Sequence, residues 1–487
     1  MDTPVTERLS GDLPVVDADT AAAAVPDAAT VMVSGFGGVG YPKAIPLTLA
    51  EADRDLALTV ITGGGVGDEI DAAMVEGNAI SRRYPGQANA TMREAINDGR
   101  VDFQSRHYGG FSDDIRFGGW VDGGVAIVEA VAVGKDWLIP SAAVGHTPTY
   151  MAEADSLIVE VNTAQPLSLQ HLHDVVTLED PPNRRAIELQ DPVGRIGEHH
   201  IDFDPDKLEA VVQTDHPDSP YTKRDLTDVD KAIAENFVSF IAKEIDRNPL
   251  FSDTINFECG VGNIGNALMA ALADLDTGDR TLTYFGEIVQ DGVLDLLDLP
   301  HFRGASATSL SLTSAGLDEL LANIEQYADR LILRPTEIAN NPALIDRFGV
   351  IAVNAALEVD LYGHANSEHI AGTRLVNAIG GSNDFNRSSP LSVVALPSTA
   401  GDGDVTRIVP MVPHVDHTEH DVDVVVTEHG VADLRGTVPN ERAERLIANC
   451  AAPHHRADLR TYRDRAREGG GHEPHDLETA FDQYTNL

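Results

Sequence analysis

The sequence predicts an α/β protein made of two similar halves, each built on a parallel-rich sheet. Three observations lead there. Apolar, β-branched runs alternate with helical segments through Gly-rich turns, the pattern of βαβ units. A strand–glycine turn–helix block occurs twice, as "TVMVSGFGGVGYPKAIPLTLA" and as "TINFECGVGNIGNALMAALAD". Further matched blocks then follow both copies in the same order, which is the mark of a duplicated unit.

Taken in order, the first pair of blocks carries G-x-G-x-x-G at Gly35, Gly37 and Gly40 and again at Gly260, Gly262 and Gly265. Next, "LTVITGGGVGDEID" aligns with "LTYFGEIVQDGVLD" at nearly the same offset. The strand "VAIVEAVAV" (125–133) pairs with "IAVNAALEV" (351–359), and "ADSLIVEVN" (154–162) with "VDVVVTEHG" (422–430). The last offset is larger, and the added length falls in the Gly/Asn/Ser-rich stretch 363–405. The joint lies near the polar, proline-bearing segment 211–230, ahead of a helix, so the domains are expected at 1–220 and 221–487. Glu160 and Glu428 end the last pair of strands, and their presence in both copies predicts a shared structural role.

The 487 residues exceed one ordinary core, which fits two domains. Mean hydropathy is -0.15, and no apolar run reaches the roughly 20 residues of a membrane helix. The N-terminus lacks a basic region followed by an apolar stretch, so no signal peptide is expected. The two cysteines, Cys259 and Cys450, make no disulfide framework, which points to a reducing cytoplasm. The net charge is -43, and lysine is confined to positions 43, 135, 207, 223, 231 and 243. Dispersed acids on a lysine-poor surface suit high salt, where repulsion is screened, so the chain reads as a halophile's cytoplasmic protein. The same charge excludes nucleic-acid binding, which needs a basic stripe.

One carboxylate stands out. In "TYFGEIVQDG", Glu287 follows an apolar strand end where the first half has glycines, Gly63 to Gly65. The carboxyl end of a parallel strand is where such sheets present reactive groups. Glu287 is either a surface residue or a placed reagent. It also lies 22 residues beyond Gly265, the distance of a ribose-binding acid in a dinucleotide fold, so an NAD-dependent dehydrogenase competes. The first copy, with glycines and no acid, speaks against that.

Three other patterns favour plain readings. His414, His417 and His420 are spaced by three in "HVDHTEH", but no further ligand pattern supports zinc, so a polar network and no metal are expected. Ser382 does not sit in G-x-S-x-G. Cys259, without a basic neighbour, reads as a buried strand-end thiol.

The segments "GVGNIGNALMAAL", "YFGEIVQD", "NAALEVDLYGHANSEHIAG", "NAIGGSNDF" and "RIVPMVPHVDHTEHDVDVVVTEHGVADLRG" resemble the acetyl-CoA hydrolase/transferase family, which includes succinyl-CoA:acetate CoA-transferases. In the first half "SGFGGVGYPKAIP", "EVNTAQPLSLQHLHDV" and "DPVGRIGEHHIDFDPDKLEAVV" resemble it too. The resemblance runs from about residue 30 to 465. It implies two NagB/RpiA/CoA-transferase-like domains with the active site between them. It implies that Glu287 is the nucleophile, that Val261 and Gly381 supply oxyanion-binding N–H groups, and that Asn340 faces the bound carboxylate. Asn377, Gly381 and Gly401 match CoA-contacting positions, and the turn Gly260, Val261, Gly262, Asn263 and Ile264 opens a helix whose N–H groups and dipole suit anionic CoA or an oxyanion. Where the family carries a lysine in "PSTAKGG", this chain has Gly401 in "PSTAGDG"; that charge contact is absent or taken by an arginine such as Arg407. The expected reaction moves CoA between a short acyl-CoA and a free carboxylate such as acetate, with acetyl-CoA hydrolysis as the alternative on the same fold. CoA would be a substrate, no separate cofactor is implied, and a homodimer is the family-level expectation.

Overall fold

The protein is described from a computed structural model, which covers residues 4–484 except 120, 122, 220 and 223. The chain folds into two compact units. The first comprises Met1–Thr222, Tyr284–Leu297 and Arg303–Leu344; the second comprises Lys223–Thr283, Asp298–Phe302 and Ile345–Leu487. Two segments that follow the joint at 211–230 therefore pack with the N-terminal residues. The reason is apolar: Ile288 joins Phe36, Tyr108 and Ala143 in one buried cluster.

The first unit is organised by a nine-stranded sheet: β1 (Thr30–Val33), β2 (Leu58–Ile61), β3 (Ile80–Tyr84), β4 (Asp102–Phe103), β5 (Val125–Val133), β6 (Trp137–Pro140), β7 (Ser156–Asn162), β8 (Ile201–Asp202) and β9 (Leu208–Thr214). The order is β4-β3-β2-β1-β5-β6-β8, with β7 pairing both β5 and β9. Pairing is parallel except for β5 with β6 and β6 with β8. All nine residues of β5 are buried, which explains why it is apolar at every position except Glu129. One face packs Val31, Leu58 and Val60 against Ile45, Leu49, Ile70 and Met74. Each such side chain contributes about 1.5–3 kcal/mol by leaving water.

Buried charges in this unit are paired, as burial requires. Lys43, one of the six lysines, is fully buried and meets Glu129 at 2.5 Å and Asp218 at 2.6 Å. Arg83 meets Asp71 at 2.9 Å, and Arg334 pairs with Asp174. Burial shifts two uncharged rings. His146 and His173 are both held down to about 4, because their cationic forms would be desolvated.

In the second unit the strands Thr254–Cys259, Val350–Ala355, Leu391–Ala395, Val424–Thr427 and Gly430–Asp433 lie side by side in that order. The first four are parallel and the last is antiparallel. The helix Asp228–Arg247 starts at a capping box, where Thr227 and Asp230 satisfy each other's backbone, and it ends at Asn248, just before Pro249. Its buried stripe, Ile233, Phe237, Ile241 and Ile245, recurs every four residues. The strand matched to β5 is broken here. After Ala355, Leu357 N–H donates to Asn366 O at 2.7 Å, and Glu358–Asp360 enters a separate three-stranded sheet with Ala365–Asn366 and Ile408–Val409. Among the described residues, no helix is long and apolar enough to cross a membrane.

Candidate active site

The strand Thr281–Phe285 ends where Gly286 N–H donates to Ser306 O at 3.0 Å. Glu287 follows, and the chain resumes as the short strand Ile288–Val289, paired in parallel with Ser309–Leu310. Phe285, Gly286, Ile288, Val289 and Gln290 are all buried, and Glu287 alone in this run is half-buried. Its backbone is fixed, because its C=O accepts from Thr308 N–H at 2.9 Å. Tyr284 tightens the bend by donating its hydroxyl to Ile288 O at 2.8 Å. Gly286 makes room for that ring, since a Cβ there would lie 2.5 Å from it. The side chain is held as well: Asn340 Nδ2 donates to Glu287 Oε2 at 2.7 Å. Asn340 sits at the end of the short helix Thr336–Ala339 and is itself fully buried. A carboxylate with one oxygen held by an amide and its backbone locked is kept in a defined orientation.

The second glycine turn builds a different feature. Gly262 caps the helix Asn263–Ala273 with φ +126°, a conformation that side-chain-bearing residues rarely adopt, although a Cβ there would meet nothing. No side chain caps this helix. Gly260, Val261, Asn263 and Ile264 line a cavity of about 290 Å³ together with Asn354 and Arg407. Asn354 is positioned by donating to Glu258 Oε2 at 3.0 Å and Asn386 Oδ1 at 3.1 Å. The Arg407 guanidinium is half-buried, and desolvation lowers its pKa while Glu358 and Glu428 act in the opposite sense. Arg224 also lines the cavity and grips Asp230 with two nitrogens, at 2.7 and 3.1 Å.

The other sequence-predicted positions also lie in the second unit. Asn377 Nδ2 donates to Ser367 O at 3.0 Å. Gly381 precedes the short helix Ser382–Asn386. Gly401 is exposed, next to the hairpin Thr399–Ala400/Val405–Thr406, and does not line the cavity. The structure thus brings Glu287 and Asn340 together and gathers Gly260, Val261, Asn263 and Ile264, but not Gly262, around one cavity. It leaves Asn377, Gly381 and Gly401 outside the lining of that cavity. The structure adds Tyr284 and Thr308, which fix Glu287, and Asn354, which flanks the glycine turn. Their partners lie across strand boundaries and leave no local motif.

The plain readings find specific contacts. Cys259 is buried at its strand end, and burial raises its pKa well above that of an ordinary thiol, so it has no thiolate character. The histidines of "HVDHTEH" go to separate partners: His414 to Asp416 at 2.9 Å, His417 to Ser382 Oγ at 3.4 Å, and His420 to Glu419 at 3.0 Å. His414, with His369 and Glu368, does bring ligand-type atoms within 4.8 Å of one another, as do Glu198, His199 and His200. Glu160 and Glu428 hold different groups. Glu160 accepts from the N–H groups of Lys43, Ala44 and Ile45, whereas Glu428 accepts from Ser398 N–H and Oγ–H.

Two parallel-rich units with a carboxylate fixed at a strand end define an α/β enzyme fold of the CoA-transferase type. Residues 14–213 match the acetyl-CoA hydrolase/transferase N-terminal domain, and residues 316–463 match the C-terminal domain. The chain is 38% identical to the succinyl-CoA:acetate CoA-transferase of Clostridium kluyveri, over 97% of this chain and 89% of that one. It is 38% identical to the acetyl-CoA hydrolase of Schizosaccharomyces pombe, over 93% of this chain and 91% of the other. The solved 4-hydroxybutyrate CoA-transferase of Porphyromonas gingivalis superposes with a TM-score of 0.63 at 21% identity, covering 93% of this chain and 97% of that one, a likeness of fold. The chain belongs to the acetyl-CoA hydrolase/transferase family.

Proposed function

We propose that the protein is a CoA-transferase that moves CoA from a short acyl-CoA to a free carboxylate such as acetate, with Glu287 as the nucleophile. One observation carries the reading: Glu287 emerges half-exposed from an otherwise buried strand end, with its carboxylate held by Asn340 at 2.7 Å. A Glu287 oxygen attacks the thioester carbon and expels CoA thiolate, which leaves an acyl-glutamyl anhydride. The thiolate attacks the glutamyl carbonyl and releases the first carboxylate, giving a glutamyl-CoA thioester. The acceptor carboxylate attacks that thioester, thiolate leaves again, and its attack on the new acyl carbonyl releases the new acyl-CoA and frees Glu287. No net proton moves, and each activated acyl group is exchanged for another, so no external energy source is needed. Every addition makes an oxyanion. In this reading the N–H groups of Val261 and Gly381 stabilise it, a contribution of roughly 3–4 kcal/mol per donor in comparable enzymes.

The same reading places the enzyme in a halophile's cytoplasm, working as a homodimer with no resident cofactor or metal; the charge of -43 is its support for high salt. The test is made in concentrated KCl with acetyl-CoA and isotopically labelled acetate. Label entering acetyl-CoA supports transfer. Release of free CoA at the same rate with and without acetate, and no label uptake, would establish the hydrolase instead.

A further inference from the structure

We infer that Glu368, His369, His414 and Asp416, all in the second unit, form a site that takes up a divalent ion of the zinc class from solution. The inference does not depend on the acyl-CoA reading.

The donor atoms already stand close together. His414 Nε2 lies 2.9 Å from Asp416 Oδ1 and 3.4 Å from Glu368 Oε2. His369 offers a nitrogen within 4.8 Å of the donor atoms of Glu368 and His414. Donors bound to one ion at about 2.1 Å stand roughly 3.0–3.4 Å apart, so the first two separations fit and His369 has a short way to close. Two imidazoles and two carboxylates suit zinc or cobalt(II), whereas magnesium and calcium want oxygen alone.

The two acids are oriented from behind. Glu368 Oε1 accepts from Ile379 N–H at 2.7 Å. Asp416 Oδ2 accepts from the N–H groups of Ser367 and Glu368, at 2.5 and 3.1 Å. Each carboxylate is thus held by backbone through one oxygen and turns the other towards His414, which is the support that metal ligands require. Their side chains are only 6% and 3% exposed, and two buried acids side by side call for a cation. A protonated His414 would offset one of these charges. It would leave His369 unused, with its Nδ1 buried and without a hydrogen-bond partner. One divalent ion answers both acids and both rings.

The His414 side chain is 33% exposed, so the ion exchanges with solvent and is no resident cofactor. The spacing of His414, His417 and His420 hides the site, because His417 and His420 turn to Ser382 and Glu419, and Glu368 lies 46 residues from His414. A bound ion would brace the loop 376–383, which carries Asn377 and Gly381. Val376 N–H donates to Glu368 O at 2.8 Å, and Asn383 Nδ2 donates to Asp416 O at 2.8 Å.

The test uses the full chain, stripped with a chelator and returned to KCl, and calorimetry with Zn²⁺, Mg²⁺ and Ca²⁺. Zn²⁺ is expected to bind this site once per chain with a Kd of about 1 μM or tighter. His369→Gln and His414→Gln should each weaken it by at least about a hundredfold, since even an outer-shell partner is worth about 10–100-fold. His199→Gln, in the separate group Glu198, His199 and His200, should leave it unchanged. A second measurement needs no substitution: Zn²⁺ should protect His414 from diethyl pyrocarbonate, read by peptide mass. Four results overturn the inference: no saturable Zn²⁺ binding below about 100 μM, an unchanged affinity in His414→Gln, Mg²⁺ binding as tight as Zn²⁺, or equal modification of His414 with and without Zn²⁺.

Discussion

In the first half the helix Ala44–Ala50 begins against Glu160, whose carboxylate accepts from three successive N–H groups at 2.8, 3.1 and 3.2 Å. In the second half the corresponding helix, Asn263–Ala273, starts after Gly262 beside a cavity lined by Gly260, Val261, Asn263 and Ile264. The strand ends differ as well. After β2 the glycines are packing residues, and a Cβ on Gly63 would lie 2.6 Å from the Phe36 ring. After Thr281–Phe285 the chain puts forward Glu287. Similar backbones have thus been used twice: one copy is closed by its own carboxylate and aromatic ring, and the other places a cavity at its helix start and a glutamate at its strand end. The duplication explains the scaffold, and the departures from it mark where chemistry is to be sought.

The largest effect that would sharpen this contrast is at Glu287. Glu287→Ala is expected to lower exchange of labelled acetate into acetyl-CoA by at least about a thousandfold, the scale for loss of a covalent nucleophile, with the melting temperature nearly unchanged. Activity within tenfold of the native enzyme would break the comparison.

Next come the paired glutamates. Glu160→Ala leaves three N–H groups, those of Lys43 and Ile45 buried, without an acceptor and is expected to cost about 3 kcal/mol in denaturant unfolding. Glu428→Ala, which removes the contacts to Ser398 and the 3.5 Å approach of His429 Nε2, should cost about 1 kcal/mol. Equal costs would mean that the two carboxylates do the same work after all.

A smaller effect separates the first unit by pH. His146 and His173 titrate near 4 in the folded chain but near 6.5 when unfolded, so the unfolded chain takes up protons first as pH falls. Their contribution to stability is therefore complete above about pH 6.5 and declines towards pH 4. Between pH 6.5 and 5 each should remove about 2 kcal/mol. His146→Phe should reduce that slope in urea titrations, and an unchanged slope would show that the ring is not the proton acceptor.

Much of the scaffold was legible because its signals are local. Glycine turns flanked by apolar runs located both strand–turn–helix blocks, and Thr227 with Asp230 marks the start of the long helix. What was not legible depends on distant pairs. Glu160 reaches Lys43 across 117 residues, so its presence in both halves could be read but not what it holds. Glu287 and Asn340 stand 53 residues apart, and only the family resemblance joined them before their contact was seen. The break after Ala355 was hidden because "IAVNAALEV" reads as one apolar run.

The central claim is that Glu287 becomes covalently bound to CoA. Incubation with acyl-CoA in the absence of acceptor, followed by borohydride reduction and peptide mass analysis, tests it directly. Glu287, in the peptide containing "TYFGEIVQDG", is expected to be converted to the corresponding alcohol only when acyl-CoA was present. A peptide whose mass is unchanged, from protein that still exchanges label, would contradict it.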